Sequence, residues 1–201
     1  QLDPDSKQEE PLEVLLERWQ SVCQRQRPPF FVLDEVLEFV ESVAPGSGLI
    51  VQSQSCVGKS FLLRDLALRQ PQVGPYRCGW VRVFSREPLA LEELNYEIER
   101  LHQEGFPWCS LGAAALADLQ RHSPREQLFP HYFAALQERN QKVAEDVPVR
   151  IVLLEDDVED VQSLQWCHVA LPSPFLWVAT TRSELPSTWE VPCPPARLRA
   201  A

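Results

Sequence analysis

The chain has 201 residues, 44% of them hydrophobic and 24% charged, and a net charge of −10. That length supports one domain with a core of its own. The acidic balance, with no Lys-rich or Arg-rich run, argues against nucleic acid as a partner and leaves room only for a local basic groove. No stretch approaches the roughly 18 uninterrupted apolar residues of a membrane span, and the first residues do not read as a signal peptide.

Residues 1–10 are polar and acidic and read as a loose lead-in. From Pro11 to about Gln24, Leu12, Leu15, Leu16, Trp19 and Val22 fall at helical spacing. RQRPP breaks that pattern and is the expected boundary between a lead-in over 1–28 and a core over 29–201. A second helix follows, with Val32, Val36, Leu37, Val40 and Val43 on one face, and APGSG stops it. GLIVQSQ is a short β-rich run. It leads into SQSCVGKS and a helical pattern through SFLLRDLALRQ.

PQVGP reads as a turn, and YRCGWVRVFS as a second strand. Residues 89–104, 111–121 and 128–143 have helical patterns separated by loops containing proline or glycine. VPVRIVLLEDD is a third strand ending in acids, 158–166 a short helix, and PFLWVATTR a fourth strand. WEVPCPPARL begins a fifth strand that proline stops. Strands alternating with helices predict a parallel β-sheet of about five strands flanked by helices, an α/β fold with helices at its N-terminal end. In such sheets the ligand site lies at the carboxyl ends of the strands.

The six cysteines (Cys23, Cys56, Cys78, Cys109, Cys167, Cys193) form no C-x-x-C pair and have no histidine at metal-ligand spacing. They read as reduced thiols, which fits a cytoplasmic setting. His102, His122, His131 and His168 are isolated in sequence and receive no chemistry. Methionine is absent even at position 1, so the sequence is expected to begin inside a longer protein.

Chemistry concentrates in SQSCVGKS. A phosphate loop works because successive backbone N–H groups and a helix N-terminus point at one anion. Gly58 allows close approach, Lys59 adds positive charge and the Ser60 hydroxyl can ligate Mg²⁺. Ser53 stands where the G-x-x-x-x-G-K-[ST] pattern has its first glycine, and Val57 is bulkier than the residue often found before the second. The competing reading is an ordinary strand–turn–helix with a surface lysine. Cys56, beside Lys59 and a helix N-terminus, is either a reactive thiol or an inert small side chain. The acids ending IVLLEDDVED can hold Mg²⁺ through water and orient a nucleophile. Asp156 and Asp157 fit that pair best, with Glu155 and Asp156 the pair if the strand ends one residue earlier. Acids also favour a helix N-terminus, which is the simpler explanation of the cluster.

Three segments together resemble the signal-transduction P-loop ATPases called STAND, which include the NACHT and NB-ARC families. LIVQSQSCVGKSFLLRDLA resembles their Walker A strand, loop and helix. VRIVLLEDDVEDVQSLQW resembles their Walker B strand, and LPSPFLWVATTRSE their sensor-1 segment, about two dozen residues after the acids. The resemblance implies a P-loop NTPase core that binds ATP and Mg²⁺. Ser55, Val57, Gly58, Lys59 and Ser60 would surround the phosphates, and Ser60 and Asp156 would serve the metal. Asp157 would be the catalytic acid and Arg182 the γ-phosphate sensor. Leu33-Asp34 stands in the place of a Gly-Arg adenine-side motif, so no adenine contact is carried over. WEVPCPPARL is similar to the segment that leads into the family's lid, which is expected to be absent from this sequence.

Such proteins act as switches whose nucleotide state governs assembly with protein partners or with copies of themselves, so slow or absent hydrolysis is compatible with the role. Two other readings stand beside it. One is a pseudo-ATPase scaffold that binds no nucleotide. The other is a DNA-handling AAA+ relative, which the acidic charge and the Thr-Thr-Arg strand disfavour.

Overall fold

The computed structural model describes residues 33–52, 62–63, 65–66, 71–83, 90–159, 165–184 and 195–199. All of them belong to one compact unit, Phe31–Ala201. The helix expected over 11–24 and the loop 53–60 lie outside the described residues, as do most of 61–70.

Helix α1 spans Leu33–Ser42, with Asp34 and Glu35 in its first turn, where the helix dipole favours acids. It buries Val36, Phe39 and Val40 and ends ahead of a turn in which Gly46 takes a φ of 87°, a region open mainly to glycine. Strand β1, Gly48–Gln52, is buried along Gly48–Val51, as its unbroken apolar run suggests for a strand covered on both faces. Gly48 has a specific reason to be glycine. A Cβ there would come within 1.9 Å of the Trp177 indole on the neighbouring strand.

The segment expected to be only a turn, PQVGP, contains a short strand of its own. Strand β2 (Gln72–Val73) pairs antiparallel with the start of β3 (Tyr76–Arg82) around Gly74, whose φ is +54°. Three helices follow: α2 (Ala90–Gln103), α3 (Ala113–His122) and α4 (Leu128–Asp146). They match the expected ranges within a few residues.

Strand β4 runs from Val149 to Val158 and β5 from Phe175 to Thr181. The helix expected over 158–166 starts too early, because Val158 still belongs to β4. Of its remainder, 165–166 lie in a 3-10 turn, Gln165–Cys167, and 160–164 lie outside the described residues. Strand β6, Ala196–Arg199, follows the prolines of WEVPCPPARL, and the strand expected to begin ahead of them falls on 185–194, outside the described residues.

The chain is therefore α/β, with a six-stranded sheet in the order β2-β3-β4-β5-β1-β6. Every pairing is parallel except β2 with β3. Successive side chains alternate faces, so register assigns each strand residue to a side. Ile50, Val81, Ile151, Leu153, Phe175, Trp177 and Ala179 share one face and join Leu91, Leu94 and Ile98 of α2 and Tyr132, Phe133 and Leu136 of α4 in a single core. Leu49, Val51, Trp80, Val152, Leu154, Leu176 and Val178 share the other face and are buried too. Among the described residues no helix is long and apolar enough to cross a membrane.

The strand order also locates a crevice. From β1 the chain passes beyond β5 and β4 to reach β3, then returns through β4 to β5, beside β1. From β5 it crosses β1 to reach β6. The connections after β1 and β5 thus leave in opposite directions, which opens a crevice at the carboxyl ends of these two strands.

Candidate functional site

Four segments meet at that carboxyl edge: the ends of β1, β4 and β5, and the turn Arg182–Ser183. Gln52 closes β1 opposite Thr181. Its side-chain amide donates from Nε2 to the Ser183 carbonyl at 3.1 Å, tying the end of β1 to the turn after β5. Its Oε1 is buried and has no hydrogen-bond partner among the described residues. A buried acceptor left in that state costs about 1–3 kcal/mol.

The acids do not simply follow the strand; they lie inside it. Glu155 of β4 pairs with Ala179 of β5, and Val158 pairs with Thr181. Three steps along β4 match two along β5, so β4 carries one extra residue, a β-bulge. Bulges re-aim side chains and often lie beside functional sites. Asp156 sits in this bulge, half-buried, and the Thr180 hydroxyl donates to its Oδ1 at 2.6 Å. That length is typical of a hydroxyl donating to a carboxylate and marks the stronger class of hydrogen bond.

Thr180 and Thr181 are both fully buried. Thr181 donates to the Val158 carbonyl at 2.6 Å and accepts from the Ser183 N–H at 3.0 Å. The Ser183 hydroxyl in turn donates to the Glu159 carbonyl. These bonds fasten the end of β5 to the bulge of β4, so the Asp156 carboxylate has a fixed position. Thr180 was part of the Thr-Thr-Arg resemblance without a role of its own, and Gln52 carried no motif. Neither could be assigned without the register of β1, β4 and β5.

Of the expected site residues, Asp156 lies at the crevice edge, and the backbone of Asp157 follows it in the bulge. Arg182 directly follows β5, is exposed and is engaged in an interaction. Arg82 ends β3 opposite Leu154 and by register shares the face of Asp156, adding a cation to that edge. Ser55, Val57, Gly58, Lys59 and Ser60 lie outside the described residues. The strand before them ends at Gln52, and Leu62, Leu63, Asp65 and Leu66 after them are helical. Leu62, Leu63 and Leu66 are buried.

Among the described residues no group of three or more His, Cys, Asp or Glu side chains could hold a metal ion, so a hard divalent cation at this edge would draw most of its ligands from elsewhere. Such ions take carboxylate, hydroxyl, water and phosphate oxygens, and Mg²⁺ commonly uses only one or two protein carboxylates. Asp156 offers a carboxylate held in place by a single donor, and a carboxylate accepts at about four lone-pair sites. No protein-family model matches this chain, and no curated protein matches it.

Proposed function

We propose that this chain is a nucleotide-binding module of a signalling protein, in which ATP with Mg²⁺ occupies the crevice at the carboxyl ends of β1 and β5. The observation that carries the reading is convergence. The end of β1, after which the sequence continues into SQSCVGKS, the bonded Asp156–Thr180 pair of β4 and β5, and Arg182 after β5 all lie at the edge where the strand connections diverge. Three sequence segments that are remote in the chain meet at one edge, where α/β sheets bind their ligands.

In this reading the N–H groups of Ser55, Val57 and Gly58 cradle the phosphates, and Lys59 neutralises them. Ser60 and Asp156 would hold Mg²⁺, which when bound neutralises charge on the phosphate oxygens. Asp157 positions the attacking water, and Arg182 faces the terminal phosphate. Thr180 keeps the Asp156 carboxylate aimed. Hydrolysis is slow or absent, because Ser53 replaces the glycine that eases the turn out of the strand. A non-glycine residue held in a strained turn costs on the order of 1 kcal/mol or more. Output is then assembly with partner proteins, or with further copies of the chain, according to nucleotide state.

The second reading, a scaffold that binds no nucleotide, rests on the same Ser53 and on Leu33-Asp34. Two substitutions separate them. Lys59→Ala is expected to weaken Mg-ATP binding at least about tenfold, the equivalent of 1.4 kcal/mol, without changing the unliganded melting temperature. Ser53→Gly is expected to raise the affinity. Isothermal titration of the parent chain and both variants checks this, and the absence of binding heat from all three would favour the scaffold.

A further inference from the structure

A second cluster lies away from the crevice, in the turn after α2. His102 and Cys109 are seven residues apart in sequence, yet the Cys109 sulfur is 3.5 Å from His102 Nε2 and 3.8 Å from Nδ1. The chain reverses at Gly105, whose φ of 91° suits glycine, and this brings the two side chains together. His102 Nδ1 lies 3.1 Å from the Phe106 carbonyl. A carbonyl only accepts, so Nδ1 carries the hydrogen, and in the neutral ring Nε2 is then the acceptor. The basic nitrogen is thus the one nearer the thiol.

Cys109 is held as firmly as its neighbour. Its N–H donates to Asn140 Oδ1 at 2.8 Å, and its carbonyl accepts from Asn140 Nδ2 at 2.9 Å. Asn140 is 1% exposed and donates as well to the Leu136 carbonyl, so α4 fixes the position of the thiol. Trp108 and Ser110 on either side are buried, whereas Cys109 is partly exposed.

His102 lies in the last turn of α2, where the helix dipole favours cations. Glu99 is one turn earlier, and the hydrogen bond from Ser110, at 2.6 Å, holds its carboxyl below the usual range. The nearby arginines are occupied or directed elsewhere. Arg100 pairs with Glu97 and Glu104, Arg77 donates to the Gly105 carbonyl, and Arg139 acts on Glu99.

We propose that Cys109 is a site of reversible thiol modification by small-molecule disulfides, with His102 as its base and acid. A nucleophile beside a base that a third group orients is the arrangement nucleophilic catalysis requires. The thiol proton passes to His102 Nε2, and the sulfur attacks one sulfur of the disulfide. A Cys109–sulfur bond forms as the disulfide bond breaks, and the departing thiolate takes the proton back from His102. One disulfide yields one mixed disulfide and one thiol, so the disulfide itself is the oxidant. Cys78 supplies an internal contrast: burial pushes its thiol up to about 12, which leaves it inert. Cys167 is fully buried.

The test treats the folded full chain with oxidised glutathione and, separately, with dithiodipyridine, whose leaving group departs without needing a proton. Peptide mass spectrometry reads occupancy at Cys109. With oxidised glutathione, Cys109 is expected to react at least about tenfold faster in the folded chain than in urea, a modest share of what a positioned acid–base group can give. His102→Gln keeps a donor for the Phe106 carbonyl. It should remove that advantage with oxidised glutathione and cost less with dithiodipyridine. A folded rate no greater than the rate in urea would overturn the proposal. So would a His102→Gln variant that is unaffected, or equally slowed with both probes, because a merely structural role does not distinguish leaving groups.

Discussion

Alanine at Phe175 is expected to cost about 3–5 kcal/mol of folding stability, as large-to-small changes of buried aromatics do. Phe175 opens β5 with no exposed surface. Its ring meets Phe133 at 4.8 Å and Trp108 at 5.6 Å between centroids, both in edge-on arrangements. Those contacts join the sheet to α4 and to the turn after α2, so the cavity left by truncation lies where three elements meet and cannot close easily. Typical domains hold only about 5–15 kcal/mol in all, so the variant should unfold at markedly lower denaturant. Tyr96→Ala is the control: Tyr96 is 66% exposed, and its loss should fall within about 0.5 kcal/mol. Urea unfolding of the two variants reads the difference. Equal midpoints would mean that Phe175 is not at the centre of the core.

Thr180→Val is the second large effect, and it bears on the crevice. Valine matches threonine in shape, so no cavity forms, but the Asp156 carboxylate loses its 2.6 Å donor. Hydrogen bonds to charged groups contribute about 1.5–3 kcal/mol, and this one ends in a half-buried bulge. The expected loss is in that range. Adding Asp156→Ala to Thr180→Val should cost less than the sum of the single changes, because each removes the same bond. A double-mutant cycle in urea measures the coupling. Strict additivity would contradict the role given to Thr180.

Much of the architecture was legible in the sequence. IVLL and FLWVA are unbroken β-branched or large apolar runs, which a sheet covered on both faces requires, and they became β4 and β5. Helices α2 to α4 were legible from periodicity bounded by proline and glycine. What could not be read depended on register or on closure between remote segments. PQVGP has two strand residues on one side of its turn, too few for any alternation to show. Strand β6 hid behind prolines that signal a stop and say nothing about a restart. The acids of β4 read as a strand cap because a bulge has no sequence code; it exists only relative to β5. The Thr180–Asp156 bond follows from that bulge. His102 and Cys109 looked isolated because sequence spacing does not reveal a reversal at Gly105.

The most direct test of the account is a thermal melt of the chain with millimolar Mg-ATP, with Mg-GTP as the control. A ligand that binds only the folded state adds about 2.7 kcal/mol at 100 times its dissociation constant, which for a domain of this size raises the melting temperature by several degrees. The account predicts that shift with Mg-ATP, a smaller one or none with Mg-GTP, and its loss in Lys59→Ala. No shift with either nucleotide would contradict nucleotide binding at the crevice and leave the fold as a scaffold.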